Sequence, residues 1–364
     1  MGRSTEPRAQ VDWALAAASG RRIARVLGDG PATTGYTRDR ASAQLLDFAA
    51  AAEEHVRAVT GLVVPGAIPP ARTGGRWDGA RTPAPRSAVS ATRTVDRREW
   101  VSAAARSMEA LIEPEDARHP GLGARLAGVQ AGAMLGMVSG SVLGQYDPFG
   151  VSGGELLLVV PNVLTVERAL GLNADDFRMW VCLHEVTHRV QFGANPWLRD
   201  YMRDNVSALT GVAGAGSVGD LIARTQKALS GGARHTGVIG VLEIAAPAEQ
   251  FAAVERLLML GTLLEGHADH VMDAAGPSVI PTVATIRAAF DRRREAPSNP
   301  LQRLLRVLLG MDAKIAQYVR GKKFVDAVVA DVGMQRFNRV WTGPETLPLP
   351  DELDDPRRWI DRVL

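Results

Sequence analysis

The run Trp180-Val181-Cys182-Leu183-His184-Glu185-Val186-Thr187-His188 contains the pattern His-Glu-x-x-His. If the run is helical, residues four apart lie on one face, so His184 and His188 point the same way. Two imidazoles so placed can hold one zinc ion at about 2.0–2.1 Å per nitrogen. Glu185 would flank that ion, where it can take a proton from a bound water. This is the arrangement that metallopeptidases need.

The flanking residues predict that this run is helical. Asn173 suits the N-cap, Asp175 and Asp176 suit the first turn, and Gly193 followed by Pro196 suits the end. The alternative is an ordinary helix that happens to carry two histidines. The predicted helix is apolar on more than one side, which indicates burial, and buried imidazoles need polar partners. This context favours the metal site.

A tetrahedral zinc site that keeps a water needs a third protein ligand. The strongest candidate lies in Leu263-Leu264-Glu265-Gly266-His267-Ala268-Asp269-His270, on a long and largely apolar helix predicted to begin at Pro247. We expect Glu265 to be the third ligand and Asp269, one turn later, to accept the N–H of a ligand histidine. His267 or Asp269 could instead replace Glu265 as the ligand.

The spacing His184-Glu185-x-x-His188 with a distant Glu265-x-x-x-Asp269 resembles the gluzincin pattern of zinc peptidases. That resemblance implies that the late glutamate is the third ligand and that the aspartate orients a histidine. The chain also resembles, over roughly residues 90–364, an actinobacterial family of zinc-dependent metalloproteases or hydrolases with no assigned substrate. The matching pieces are Val142-Leu143-Gly144-Gln145-Tyr146-Asp147-Pro148, Pro161-Asn162, the helix from Trp180 to Gln191, Pro196-Trp197-Leu198-Arg199, Glu265-Gly266-His267-Ala268 and the tail around Trp341 and Trp359.

A chain of 364 residues can bury a sizeable core in one large or two modest domains. We expect a mainly α fold with a small β element, in which a zincin-like metallopeptidase core lies within a helical bundle. The predicted division is an N-terminal helical segment (1–60), a loop rich in Pro, Gly and Arg (61–95) and a helical catalytic domain (96–364). Helices are predicted over 9–27, 38–59, 196–209, 217–229, 281–294, 300–309, 312–332 and 334–341.

Charge and cysteine content limit the possible partners and compartments. The chain has 42 Lys and Arg against 40 Asp and Glu, so its formal charge of +2 gives no reason to expect nucleic acid as a partner. The single cysteine, Cys182, excludes an internal disulfide and suits a small buried hydrophobe. No secretory signal is evident at the N-terminus, so we expect a cytoplasmic protein.

The uncharged stretch Leu126 to Tyr146 raises the question of a membrane span. Five glycines recur in it at every fourth position and form a small-residue ridge where another backbone can approach closely. Without basic flanks on one side or an aromatic belt, this stretch favours a central buried helix. We therefore expect no stable membrane span.

Other features bear on the substrate. The run Glu155 to Val160 is the one convincing strand; it could align an extended substrate by backbone pairing, or it could be purely structural. Tyr201, Arg224 and His235 could each stabilise an oxyanion, although each is more simply a packing or surface residue.

Together these features predict a zinc-dependent metallohydrolase, most simply a peptidase. A metal-activated water would attack a peptide or amide bond with Glu185 as the general base. The alternative is an inactive peptidase-like scaffold that binds a peptide or protein partner, and this would hold if a fourth protein ligand such as His270 closed the site. A membrane-associated protease that uses 126–146 is a third possibility. The sequence leaves the oligomeric state open.

Overall fold

A computed structural model of the chain describes residues 9–65, 91–113, 120–150, 153–210, 247–295 and 311–364. The chain is mainly α-helical with one small three-stranded sheet, as predicted. It divides into two compact units. The first comprises Met1–Pro196 with Ala275–Pro281, and the second comprises Trp197–Ala274 with Thr282–Leu364.

The first unit contains six of the described helices and all of the described strands. The helices are α1 (Trp13–Val26), α2 (Gly35–Thr60), α3 (Arg97–Ile112), α4 (Leu122–Val138), α5 (Val160–Ala169) and α6 (Ala174–Ala194), and the strands are β1 (Ala91–Val95), β2 (Gly144–Asp147) and β3 (Glu155–Val159). Local signals fix several ends. Asp96 and Glu99 form a capping box at the start of α3, and Gly61 ends α2 with a left-handed φ of 66°.

The sheet has the order β1-β3-β2, so the expectation of a single strand was wrong. The central strand β3 pairs in parallel with β1 and antiparallel with β2, and all five of its residues are buried. Because β3 has a neighbour on each side, its backbone is already paired. Strand β2 lies at an edge of the sheet.

Helix α4 confirms the glycine ridge at three of its five predicted positions but corrects the prediction of a central buried helix. Gly128, Gly132 and Gly136 are buried against α1, where a Cβ on any of them would collide with the α1 segment. The opposite face is open, and Leu122 is 84% and Leu126 62% exposed. The helix also ends at Val138, so the rest of the predicted helix turns and forms β2.

The second unit contains the remaining described helices, except for the end of one of them. They are α7 (Trp197–Thr210), α8 (Ala248–Val279), α9 (Val283–Glu295), α10 (Met311–Val332), α11 (Met334–Phe337) and α12 (Pro356–Val363), with 3₁₀ turns at Asn338–Trp341, Pro344–Thr346 and Pro350–Glu352. The last residues of α8, from Ala275 onward, belong to the first unit. Helix α8 is interrupted at Gly276, whose φ is 62°. The predicted helices over 217–229 and 300–309 lie outside the described residues.

Helices α8 and α10 approach closely at two glycines. A Cβ on Gly266 would collide with the backbone of Gly321, and one on Gly321 would collide with Thr262. Gly266 is therefore required by packing. The C-terminal tail is anchored as predicted, because Trp341 and Trp359 are both buried and the Trp359 indole donates a hydrogen bond to the Thr346 carbonyl at 2.8 Å.

Among the described helices, none combines the length and the hydrophobicity that crossing a membrane requires.

Candidate metal centre

Helix α6 carries the His-Glu-x-x-His pattern and begins where the sequence predicts. Asn173 caps it by accepting a hydrogen bond from the Asp176 N–H at 3.0 Å, and Asp175 and Asp176 occupy the first turn. The helix ends at Ala194, one residue after Gly193. All three residues of the pattern therefore lie in the middle of a long regular helix, whose backbone holds their relative positions.

Buried arginines fix how this helix is rotated. The Arg178 guanidinium forms a two-pronged ion pair with Glu167 of α5, at 2.9 and 2.8 Å. Arg189, which follows His188, donates to Glu53 and to the Ala49 carbonyl of α2 and to Thr92 of β1. These contacts join one side of α6 to three other elements and leave the histidine side facing another way.

Cys182 belongs to the side that packs against α2. Its thiol is fully buried and donates a weak hydrogen bond to the Leu45 carbonyl at 3.5 Å. Burial, with a smaller contribution from the Glu185 charge, raises the pKa of the thiol far above its usual range. A buried thiol packed against α2 agrees with the predicted role of Cys182 as a small hydrophobe.

The two histidines converge on one point. Their Nε2 atoms lie 3.2 Å apart, and their rings are nearly perpendicular with centroids 4.8 Å apart. Two nitrogens bound to one tetrahedral zinc at 2.0–2.1 Å are separated by about 3.3–3.4 Å. The distance between the Nε2 atoms thus fits two ligands of a single zinc ion.

His188 has a partner that the sequence analysis missed. Its Nδ1 lies 2.9 Å from Oε1 of Gln191, three residues later on α6, and Gln191 is fully buried. Residues three apart on a helix are neighbours, so the spacing alone could have suggested this contact. The glutamine lies on the side of the ring opposite to Nε2.

Glu185 is buried and lies against strand β2. A Cβ placed on Gly144 would be 2.6 Å from Cγ, 2.9 Å from Cδ and 3.1 Å from Oε1 of Glu185. The carboxylate thus occupies the space that any side chain at position 144 would take. No feature of the sequence by itself indicates this contact, because it joins a strand to a helix 41 residues away (185 − 144 = 41).

Within the described residues, one group of His, Cys, Asp and Glu side chains could hold a metal ion. It consists of His184, His188 and Glu265, each half-buried, and their candidate ligand atoms all lie within 4.8 Å of one another. Two imidazole nitrogens and one carboxylate oxygen form a donor set typical of catalytic zinc. The residues present therefore fit a zinc ion.

The alternative ligands on α8 have other surroundings and are not in this group. His267 is fully buried, stacks on Phe337 with ring centroids 5.6 Å apart and meets Trp341 edge-on at 5.3 Å. Asp269 faces Arg287, with Oδ1 and Nη1 3.7 Å apart. Its role beside a ligand histidine remains a prediction.

The described residues include one of the three candidate oxyanion stabilisers, Tyr201. Tyr201 lies on α7, is half-buried and packs edge-on against Trp197 with centroids 5.8 Å apart. Burial raises the pKa of its hydroxyl above the usual range. Arg224 and His235 lie outside the described residues. An oxyanion role for these three residues stays a prediction.

Comparison with known proteins gives one family and one solved structure. The profile of the zincin-like metallopeptidase family matches residues 11–360. A protein from Chloroflexus aurantiacus, described as a "putative hydrolase with a novel fold", is 30% identical, with a TM-score of 0.65 over 97% of this chain and 98% of that chain. A search of curated proteins finds no match. The chain therefore belongs to the zincin-like metallopeptidase family.

Proposed function

We propose that this protein is a zinc-dependent metallohydrolase, a peptidase that cleaves peptide or amide bonds. The observation that carries the proposal is the pair of Nε2 atoms of His184 and His188, 3.2 Å apart on α6, with the buried Glu185 between them in sequence. Membership of the zincin-like metallopeptidase family supports it.

His184, His188 and Glu265 would hold the zinc ion. Three protein ligands leave one tetrahedral position for water or substrate, which distinguishes a catalytic site from a structural site closed by four ligands. When bound, zinc supplies a Lewis acid that polarises a carbonyl group and makes water a nucleophile near neutral pH.

Glu185 would be the general base. Its carboxylate would accept a proton from the attacking water and later give that proton to the leaving amine. Gly144 supports this role because the absence of a side chain there leaves room for the Glu185 carboxylate against β2. A protein that merely binds a partner gains nothing from a general base at this position.

Strand β2 is the element that could align an extended substrate. The sequence suggested β3 for this role, but β3 is paired with another strand on each side. Strand β2 has a strand neighbour on one side only among the described residues, and it contacts Glu185 through Gly144. Edge strands can add an extended peptide by main-chain hydrogen bonds, so we propose that the substrate lies along β2.

Asp269 would orient a ligand histidine, as the gluzincin-like spacing implies. Oδ1 of Asp269 lies 3.7 Å from Nη1 of Arg287, whereas Oδ1 of Asp273 lies 2.6 Å from Nη2 of the same arginine, so Arg287 pairs more closely with Asp273. Replacement of Asp269 by Asn should therefore weaken zinc binding by about 10–100-fold, as expected for an outer partner of a ligand. Wild-type affinity in Asp269→Asn would remove Asp269 from the site.

The test of the function uses Glu185→Gln in the full-length protein loaded with zinc. We expect the zinc content to stay at one ion per chain while cleavage of casein and of a fluorogenic peptide mixture falls by about 100-fold or more. Glu54→Gln, on the exposed side of α2, is the control and should behave as wild type. Wild-type cleavage by Glu185→Gln would exclude Glu185 as the base, and a wild type that binds zinc without cleaving either probe would favour the inactive scaffold.

A further inference from the structure

We infer that Gln191 is a positioning residue: its side-chain carbonyl keeps the His188 proton on Nδ1 and so presents the Nε2 lone pair to the metal. This inference rests on the proposed function, because it concerns a ligand of the proposed zinc site.

The contact is built into the helix. Gln191 follows His188 by three residues on α6, and residues at this spacing are neighbours on a helix surface. Oε1 of Gln191 lies 2.9 Å from Nδ1 of His188, within the usual range for a hydrogen bond. Because Gln191 is fully buried, bulk water does not compete for this contact.

The chemistry of the two atoms sets the tautomer. A carboxamide oxygen only accepts hydrogen bonds, so the nitrogen that faces it must be the donor. A neutral imidazole that carries its proton on Nδ1 has its lone pair on Nε2. In His188 this lone pair points to the side where Nε2 of His184 lies, 3.2 Å away. His188 is thus prepared to bind a metal before the ion arrives.

The opposite tautomer would block the site. A proton on Nε2 of His188 would occupy the direction of the metal and would have to be displaced for zinc to bind. Partners that fix a ligand histidine in this way also raise the basicity of the ligand nitrogen, and their loss typically costs about 10–100-fold in metal affinity. The expected contribution of Gln191 is of this size.

The first measurement is the zinc affinity of full-length variants in competition with a chromophoric chelator. Gln191→Met keeps the volume of the side chain and removes the acceptor, so its affinity should fall by about 10–100-fold. Gln191→Glu keeps an oxygen acceptor at Nδ1 and should bind zinc at least as tightly as the wild type. An unchanged affinity in Gln191→Met, or an equal loss in both variants, would overturn the inference.

A buried residue on the same helix provides the control. Thr187 is fully buried and its hydroxyl donates to the Leu183 carbonyl at 2.7 Å. Thr187→Val should lose some stability and keep wild-type zinc affinity. If Thr187→Val weakens zinc as much as Gln191→Met does, the effect comes from general damage to α6 and the inference fails.

The second measurement reads the tautomer directly and needs neither a variant nor hydrolysis. Imidazole ¹⁵N NMR of the metal-free full-length protein should show Nδ1 of His188 protonated and Nε2 bare. A proton on Nε2 would overturn the inference. This result stands apart from the proposed function, because a protein without peptidase activity can still have the tautomer that Gln191 imposes.

Discussion

Nε2 of His184 and Nε2 of His188 lie 3.2 Å apart, one helical turn from each other on α6. At that distance two ring N–H groups cannot point at each other, and the two nitrogens are close enough to bind one ion. Buried Arg178 and Arg189 hold the helix in the orientation that aims both rings at the same point. The site thus depends on contacts made on another side of the helix.

Replacement of His188 by Ala should abolish stoichiometric zinc binding. The variant leaves one imidazole and one carboxylate, too few protein ligands for a stable catalytic zinc site. Metal analysis after dialysis against a weak chelator measures the outcome. His270→Ala is the matched control, because His270 pairs with Asp326 at 2.7 Å and is not in the ligand group. One zinc ion per chain in His188→Ala would rule out the proposed site.

Replacement of Gly144 by Ala should reduce turnover and spare zinc binding. The new Cβ would lie 2.6 Å from Cγ of Glu185 and would push the carboxylate from its position. A displacement of about 1 Å in a catalytic group can cost about 100-fold in rate. Steady-state cleavage together with zinc content measures both effects. Gly123→Ala, with nothing within 4 Å of the added Cβ, should cleave as wild type. Equal activity in the two variants would contradict a role for this contact.

Replacement of Asp147 by Asn should stabilise the protein at neutral pH. Burial raises the pKa of the Asp147 carboxyl by more than the hydrogen bonds from Ser107 and the Phe149 N–H lower it. The Oδ2 atom of Asp147 has no hydrogen-bond partner among the described residues. An acid with a raised pKa in the folded state binds its proton to higher pH than in the unfolded state, so its ionisation costs stability as pH rises above about 4.

We therefore expect Asp147→Asn to gain about 1–2 kcal/mol of unfolding free energy at pH 7, and less at pH 4. Urea denaturation at both pH values gives the comparison. Asp351→Asn, at an exposed position, should change neither value by more than about 0.5 kcal/mol. A loss of stability at pH 7 in Asp147→Asn would show that the ionised carboxylate is stabilised in the fold.

Replacement of Arg178 by Met should destabilise the first unit strongly. It removes both hydrogen bonds to Glu167 and leaves that buried carboxylate without its counter-charge. Breaking a buried pair from one side costs about 3–5 kcal/mol. Arg357→Met breaks an exposed pair with Asp331 and should cost less than about 1 kcal/mol. Similar losses in the two variants would mean that the buried pair contributes no more than a surface pair.

Local signals in the sequence predicted α6 well. Its start and end are set by the capping residue Asn173, the two aspartates of the first turn and the glycine near the end. These residues act over a few positions, so their effect can be predicted from the sequence alone. The same holds for the capping box at Asp96 and Glu99. The helical period then places His184 and His188 on one face without any knowledge of the fold.

Strands β1 and β2 could not be predicted in the same way. Strand β1 reads Ala-Thr-Arg-Thr-Val and is mostly polar, and it is stabilised by parallel pairing with β3, more than 60 residues later (Ala91 with Glu155). Strand β2 lies in the stretch where glycines recur at every fourth residue, a pattern that favours a helix. Both segments are strands because they pair with β3, and such pairing leaves no signal in the local sequence.

Two contacts at the site were not predicted from the sequence, and they too differ in whether they are local or distant along the chain. Gln191 is three residues from His188 and could be placed on its face from helical spacing alone. The contact of Gly144 with Glu185 depends on how β2 packs against α6, so tertiary structure was needed to find it.

The most direct test of the account is a crystal structure of the full-length protein loaded with zinc, with anomalous diffraction recorded at the zinc edge. The account predicts one strong anomalous peak within about 2.0–2.2 Å of His184 Nε2, His188 Nε2 and a Glu265 carboxylate oxygen, with the fourth position free of protein ligands. A peak elsewhere, or a fourth protein side chain bound to the ion, would contradict it.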